Sequence, residues 1–375
     1  MKNNNTKTLL KNVCKISKGK GLKHEKVNFT EGQNCILCGD LFTQYDTVIK
    51  NVVHKTTYNE GISSKKNTVL IPGDTTTNAW DIAKAIALDE ENVLLGGSIN
   101  ILEFDDYCDN TFFAYYLSSK KRIDLAKLAI GSTVVHLHGK EIGNLEVSYP
   151  SKEMQVKIGS FFKELDELID LYEKVYKNVE RVIQSYLEKM YSSNELIELE
   201  KYITKYSSKN KKNLKLDIYS ITNDKGFVLQ KEKFNDRQIA STDTNNYTIV
   251  EKNCFGYNPS RIDIGSIGLY TNDNKGIISP LYVTFKTVNI PSDYVYWFFK
   301  TSHFKKESFK HYEKSVRNTL PWENFKKINI PIYQEEKFLK NKEILDNLTN
   351  LYEELIEFTL RLEDVKKYYL NKIFN

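Results

Sequence analysis

Two long stretches of the chain repeat apolar residues at alternating spacings of four and three. The first runs Phe161, Leu165, Leu168, Tyr172, Val175, Val179, Val182 and Tyr186, and the second runs Ile344, Leu348, Leu351, Leu355, Phe358, Leu362, Val365 and Tyr369. That rhythm draws one apolar stripe along a helix, as in a coiled coil. Ile158, Phe162, Ile169, Tyr176 and Ile183 in the first stretch, and Tyr352 and Ile356 in the second, widen the stripes and call for further protein alongside. At ~1.5 Å per residue, a helix over residues 153–191 extends about 60 Å. Helices of that length are rare inside compact cores, so the pattern predicts pairing of the two with each other rather than two ordinary core helices.

The rest of the chain reads as short strand-like runs and turns, and it is duplicated. Residues 145–191 and 326–374 each pass from a β-like run ending in proline (Pro150, Pro331), through a polar Gln/Glu cluster, into a long helix with Leu-Tyr-Glu at its middle. Each closes on Tyr-Leu-x-Lys followed by an apolar and an aromatic residue. Upstream, Ser132-Thr-Val-Val-His-Leu137 corresponds to Ser315-Val-Arg-Asn-Thr-Leu320. An ordered match of this kind marks two copies of one plan. The expectation is an α+β chain with globular parts over residues 1–150 and 195–332, followed by helices over 151–194 and 333–375 respectively. A parallel pairing of the helices is open to the connecting segment. Antiparallel pairing gives each copy equivalent contacts with the other, and is the form expected; it would set the globular parts at opposite ends.

Charge sharpens the picture. The chain carries 54 Lys and Arg against 49 Asp and Glu, a net +5. Residues 153–191 and 335–375 each carry −2, so the remainder holds +9, a distribution that draws a polyanion such as DNA to the globular parts. With 375 residues the chain is too long for one ordinary domain, and its 24 Tyr and 19 Phe exclude a disordered one. No apolar run approaches the ~18 residues of a membrane span, and the first residues lack the apolar stretch of a secretory signal, which predicts a soluble, cytoplasmic protein. Five cysteines, Cys14, Cys35, Cys38, Cys108 and Cys254, then read as reduced thiols. Cys35 and Cys38 have the spacing of half a zinc site without a second close pair, and metal binding there is left open.

In sequence these features resemble the specificity subunit of type I restriction-modification systems. The resemblance rests on the Pro150-Ser-Lys-Glu-Met-Gln155 junction, Leu165-Asp-Glu-Leu-Ile169, Leu187-Glu-Lys-Met190, Gly131-Ser-Thr-Val-Val-His-Leu137, Phe255-Gly-Tyr-Asn-Pro-Ser-Arg261, Gly265-Ser-Ile-Gly268, Ile278-Ser-Pro-Leu-Tyr282 and the duplication of the plan. It covers essentially the whole chain. One departure is the second junction, Pro331-Ile-Tyr-Gln-Glu-Glu336, which lacks the Glu-x-Gln wording. The resemblance implies that each globular part is a target recognition domain reading half of a bipartite double-stranded DNA sequence, and that the helices set the spacing and dock two modification subunits. It also implies that those partners carry S-adenosylmethionine and methylate adenine, that restriction subunits add ATP- and Mg-dependent translocation and cleavage, and that this chain holds no cofactor and no catalytic residue.

The residues agree with a non-catalytic chain. Tyr257-Asn-Pro-Ser-Arg261 lacks the second proline and aromatic of an adenine-methylating loop, Gly19-Lys20 and Gly139-Lys140 sit in no phosphate-binding loop, and His24-Glu25 begins no HExxH. Two alternatives remain, a coiled-coil adaptor without DNA specificity and a fused restriction or methylation enzyme; the missing motifs argue against the latter.

DNA readers grip phosphates with Lys, Arg and loop hydroxyls and read base edges with Arg, Lys, Asn and Gln. In the first domain the candidates are Lys18, Lys20 and Lys23 on a glycine-loosened loop, Thr75, Thr76, Thr77 and Asn78 in the loop before Trp80, and His136 and Lys140. In the second they are Lys225 in a hairpin-like turn, Arg237 and Gln238, Asn258 and Arg261, and Arg317 and Asn318 aligned with the segment ending at His136. Each has a competing structural reading: a solvated turn for the threonine loop, a surface histidine for His136, and for Arg261 a buried guanidinium tied to Asp263. Tyr294, Tyr296, Trp297 and Phe298 read as a helical core cluster.

Overall fold

The structure, a computed structural model, describes residues 5–223, 225–233, 244–314 and 318–374. The chain folds as two compact units. The first comprises Met1–Lys174 with Leu355–Asn375, the second Val175–Glu354. Each unit therefore contains one end of both long helices, Lys152–Met190 and Glu335–Phe374.

The duplication extends to the strands. In the first unit Cys14–Lys18, Ile99–Phe104, Thr68–Pro72 and Ile86–Leu88 lie side by side in that order, all antiparallel. Their counterparts in the second are Ile203–Lys205, Val283–Thr287, Cys254–Tyr257 and Ile267–Tyr270, also antiparallel. A further sheet runs His54–Thr56, Gln33–Ile36, Leu94–Leu95 and Ile62–Ser63 in the first unit, and Gly226–Leu229, Asp217–Thr222, Gly276–Ile278 and Thr248–Val250 in the second. In both, the middle pair alone is parallel. Finally, Thr6–Leu9 pairs with Glu146–Tyr149, and Leu196–Glu198 with Asn329–Pro331, so each unit's first strand is tied to the strand that leads into a long helix. The strands supply buried Val, Ile, Leu and Phe to the cores, the half-buried pleated surface such side chains favour.

Within the first unit the start of the central helix meets the end of the C-terminal one: Phe162 stacks on Phe374, Tyr172 packs on Phe358, and Lys366 pairs with Asp166 at 2.5 Å. Within the second unit the end of the central helix meets the start of the other, with Tyr176 against Tyr352 and the Tyr186 hydroxyl donating to Asn341 Oδ1 at 2.7 Å. The helices are thus an antiparallel pair, as expected.

The seam itself needs correcting. Leu165, Tyr172, Val179 and Tyr186, and Leu348, Leu355 and Leu362, are half-buried along it. Phe161, Leu168, Val175 and Val182, with Ile344, Leu351, Phe358 and Val365, are instead 37–52% exposed. The other half of the stripe lies one residue on, at Phe162, Ile169, Tyr176 and Ile183 and at Leu345, Tyr352, Thr359 and Lys366, all buried or half-buried. One residue turns a helix by about 100°. Because apolar side chains occupy both adjacent positions throughout the first helix and in the first half of the second, two overlapping stripes are written in the sequence, and packing selects one. Some residues of the unselected stripe flank the seam, as Phe161 does at 5.4 Å from Tyr369.

The first junction is organised by Gln155, which is fully buried. Its Oε1 accepts from the Asp109 amide at 3.0 Å, and its Nε2 donates to the carbonyl of Pro150 at 2.9 Å. The second junction is two residues longer: six residues separate Pro331 from the first buried helix position, Phe338, where four separate Pro150 from Gln155. Phe338 fills that place with its ring against Tyr294, Trp297 and Tyr333. The missing Glu-x-Gln wording is thus an apolar junction in place of a polar one.

Removing the buried amide by Gln155→Ala leaves a donor and an acceptor unpaired, and is expected to destabilise the first unit by about 1–3 kcal/mol in urea unfolding followed by circular dichroism. The seam assignment is checked by neighbours: Phe162→Ala should cost about 3–5 kcal/mol, and Phe161→Ala a small fraction of that. Equal losses would return the seam to the frame containing Phe161.

Candidate nucleic-acid interface

In each unit one backbone hydrogen bond joins two segments that are far apart in sequence. The amide of Leu137 donates to the carbonyl of Gly73 at 2.9 Å, and the amide of Leu320 to the carbonyl of Pro259 at 2.9 Å. The loop after the third strand of each four-stranded antiparallel sheet is thereby pinned beside the segment that closes the domain before its long helix. Leu137 and Leu320, aligned in the repeat, thus hold equivalent places in the two units.

In the first unit Asp74–Thr75 pairs with Val135–His136. His136 Nδ1 lies 2.5 Å from Asp74 Oδ1, and the ring stacks on His138 with centroids 6.0 Å apart. Burial acts to raise the Asp74 carboxyl, but hydrogen bonding to Ser98 and His136 and the nearby Lys18 charge hold it below the ordinary carboxylate value. Thr75 and His136 therefore meet at one site that feels the Lys18 charge, with Thr76 and Thr77 exposed beside them. The Thr75 hydroxyl accepts from the Thr77 amide at 3.2 Å, which sets the turn. Asn78 caps the short helix Ala79–Ile82, accepting from the amides of Trp80 and Asp81 and donating to the Asp81 carboxylate. Lys20, Lys23 and Lys140 are exposed. The loop carrying the first two is not loosened by its glycine at position 19: a Cβ there would come 2.0 Å from the Gly96 carbonyl oxygen, so this glycine permits close packing.

In the second unit Asn258 accepts from the Ser260 amide at 3.0 Å, while its carbonyl accepts from the Arg261 amide at 3.0 Å. Arg261 is exposed and, among the described residues, forms no ion pair, so it is not the buried partner of Asp263. The Tyr257 hydroxyl donates to the Leu320 carbonyl at 3.1 Å, holding this turn against the segment after Asn318. The hairpin that bears exposed Lys225 reaches the same neighbourhood: Gly265, at φ +88°, lies against Asn223. Lys225, Asn258, Arg261 and Asn318 are thus carried on adjoining loops, whereas Arg237, Gln238 and Arg317 lie outside the described residues.

One feature had little sequence signal. Trp80 is half exposed, with the Arg122 guanidinium 4.2 Å over its ring and donating to its carbonyl at 3.1 Å, a pairing that only the fold creates. Cys35 is buried in its strand while the Cys38 thiol faces the Asp74 carbonyl. Burial raises both thiols, Cys35 to about 11, which disfavours the thiolate a metal needs. Among the described residues no group of three or more His, Cys, Asp or Glu side chains is placed to hold a metal ion.

Residues 2–181 match the family model described as the type I restriction modification DNA specificity domain. No curated protein matches the chain. Among solved structures, the type I restriction-modification S subunit from M. genitalium is similar over 100% of this chain and 97% of its own, with a TM-score of 0.64 at 17% identity. A structure from work on complex assembly and conformational transition of the type I R-M system is similar over 99% of this chain and 97% of its own, with a TM-score of 0.56 at 11% identity. The structural likeness concerns the fold, and the family match favours DNA recognition over an adaptor role. Residues 2–181 are thus similar to a type I restriction modification DNA specificity domain, and the strand order of that domain recurs in the second unit.

Proposed function

We propose that each unit reads one half of a bipartite site on double-stranded DNA through the two loops joined at Gly73 and Leu137, and at Pro259 and Leu320. That repeated hydrogen bond is the observation that carries the reading, because it presents polar loop residues on equivalent frameworks in both units. Lys18, Lys20, Lys23 and Lys140 suit phosphates, as point charges on exposed loops do. Arg261, exposed and without an ionic partner among the described residues, suits a guanine edge in the major groove. Thr75, Thr76, Thr77, His136, Lys225 and Asn318 complete the set, with Asn78 and Asn258 shaping the turns.

The helices act as the spacer between half-sites and as the dock for two modification subunits. Support for docking comes from the apolar side chains left exposed beside the seam, Leu168, Val175, Val182, Ile344, Leu351 and Val365, since an exposed apolar stripe marks an interaction surface. The chain supplies recognition and no chemistry. S-adenosylmethionine belongs with the modification subunits, ATP and Mg with the restriction subunits, and the complex works in the cytoplasm, where the DNA is.

Mapping methylated adenines in cells that express this chain with its modification partner would reveal both half-sites and their gap. Inserting one heptad into each helix is expected to lengthen the gap and leave both half-sites unchanged; new half-sites at a constant gap would refute the spacer role. In the assembled complex, Arg261→Ala is expected to weaken binding to the mapped site by about 1–3 kcal/mol and to relax one position of one half-site only.

A further inference from the structure

The second unit carries a lysine cluster that none of the reading loops includes. Lys209, Lys211, Lys212 and Lys215 stand within seven residues that contain no carboxylate. Lys211, Lys212 and Lys215 are exposed and, among the described residues, have no ion-pair partner. Lys209 donates to the Asn246 carbonyl at 3.0 Å and the Thr248 hydroxyl at 3.2 Å.

This loop has a built interior. Asn210 is 1% exposed: its Nδ2 donates to the Leu214 carbonyl at 3.1 Å and the Thr244 hydroxyl at 3.2 Å, and its Oδ1 accepts from the Leu214 amide at 2.9 Å. Asn213 adopts φ +45°, a left-handed conformation that asparagine tolerates, and its Oδ1 accepts from the Thr244 hydroxyl at 2.7 Å. Like charges repel, so a loose loop would let these lysines spread; here the backbone is fixed before any partner arrives, which lowers the entropy cost of binding.

The loop also stands at a repeated place in the plan. It follows the strand Ile203–Lys205 as the lysine loop of the first unit follows Cys14–Lys18, and in both the next residue donates to the neighbouring strand, Tyr206 to Thr284 at 2.9 Å and Gly19 to Ile99 at 2.8 Å. From this loop the strand Asp217–Thr222 leads to the turn at Asn223 that lies against Gly265. At ~3.3 Å per residue its six residues span about 20 Å, the length of about six base pairs of B-DNA.

We propose that the loop of residues 209–215 grips the phosphate backbone about six base pairs away from the bases read near Arg261, independently of sequence. The inference rests on the DNA-reading function proposed above. Its test uses the assembled complex with the modification subunits, a duplex bearing the site mapped by methylation, and a scrambled duplex. The variant K211Q/K212Q/K215Q keeps the fold, checked by an unchanged melting temperature. The slope of log affinity against log salt is expected to become shallower by about 0.9 for each phosphate that the variant no longer neutralises, by the same amount on both duplexes, while the methylated site stays the same. An unchanged slope in a complex that still selects its site would overturn the role of this loop alone. A parent complex that selects no site would overturn the reading beneath it and this inference together.

Discussion

Each globular unit is closed by the end of a helix that it does not lead into, and this constraint governs the rest of the structure. In the first unit Phe374 packs on Phe112, Tyr116 and Phe162. In the second, Tyr191 takes the same place against Tyr294 and Phe298, with its hydroxyl donating to the Tyr294 carbonyl. These are the aromatic residues that end the two repeated segments. Neither copy of the plan fills its own core, so the antiparallel pairing completes two hydrophobic cores at once. Such burial is the main favourable term in folding, and it joins residues far apart in sequence.

Placing stability in strands, helix ends and seam leaves the loops at Gly73 and Pro259 free to carry polar side chains with few internal duties. They are held by backbone hydrogen bonds that do not depend on side-chain identity, from Leu137 and Leu320. Arg261 and Thr75 occupy comparable places on the two frameworks while offering different chemistry. A fold of this kind can change what it reads without changing what supports it, which is the use expected of loops on a rigid scaffold.

The local electrostatics follow the same division. Charged groups near the cores are paired, as Asp166 is with Lys366 and the Tyr115 hydroxyl. The lysines of the loops at residues 18–23 and 209–215 are mostly exposed instead. A partner with regularly spaced negative charge gains from that arrangement, and the net negative helices do not compete for it.

The amino-acid sequence by itself determined the duplication, the two long helices and the basic character of the globular parts, because periodicity and charge are local and additive along a chain. Of the seam positions it suggested, Leu165, Tyr172, Val179, Leu348, Leu355 and Leu362 are half-buried along the helix pair. The rest of the seam hung on a choice between adjacent apolar residues such as Phe161 and Phe162, which only a packed partner can make. The burial of Phe338 against Tyr294 and Trp297 at the second junction, the close approach of Gly19 to Gly96, the freedom of Arg261 from Asp263 and the Trp80 to Arg122 stack were likewise settled by tertiary structure. Each depends on the distance between groups remote in sequence, and residue spacing along a chain does not encode distance across a fold.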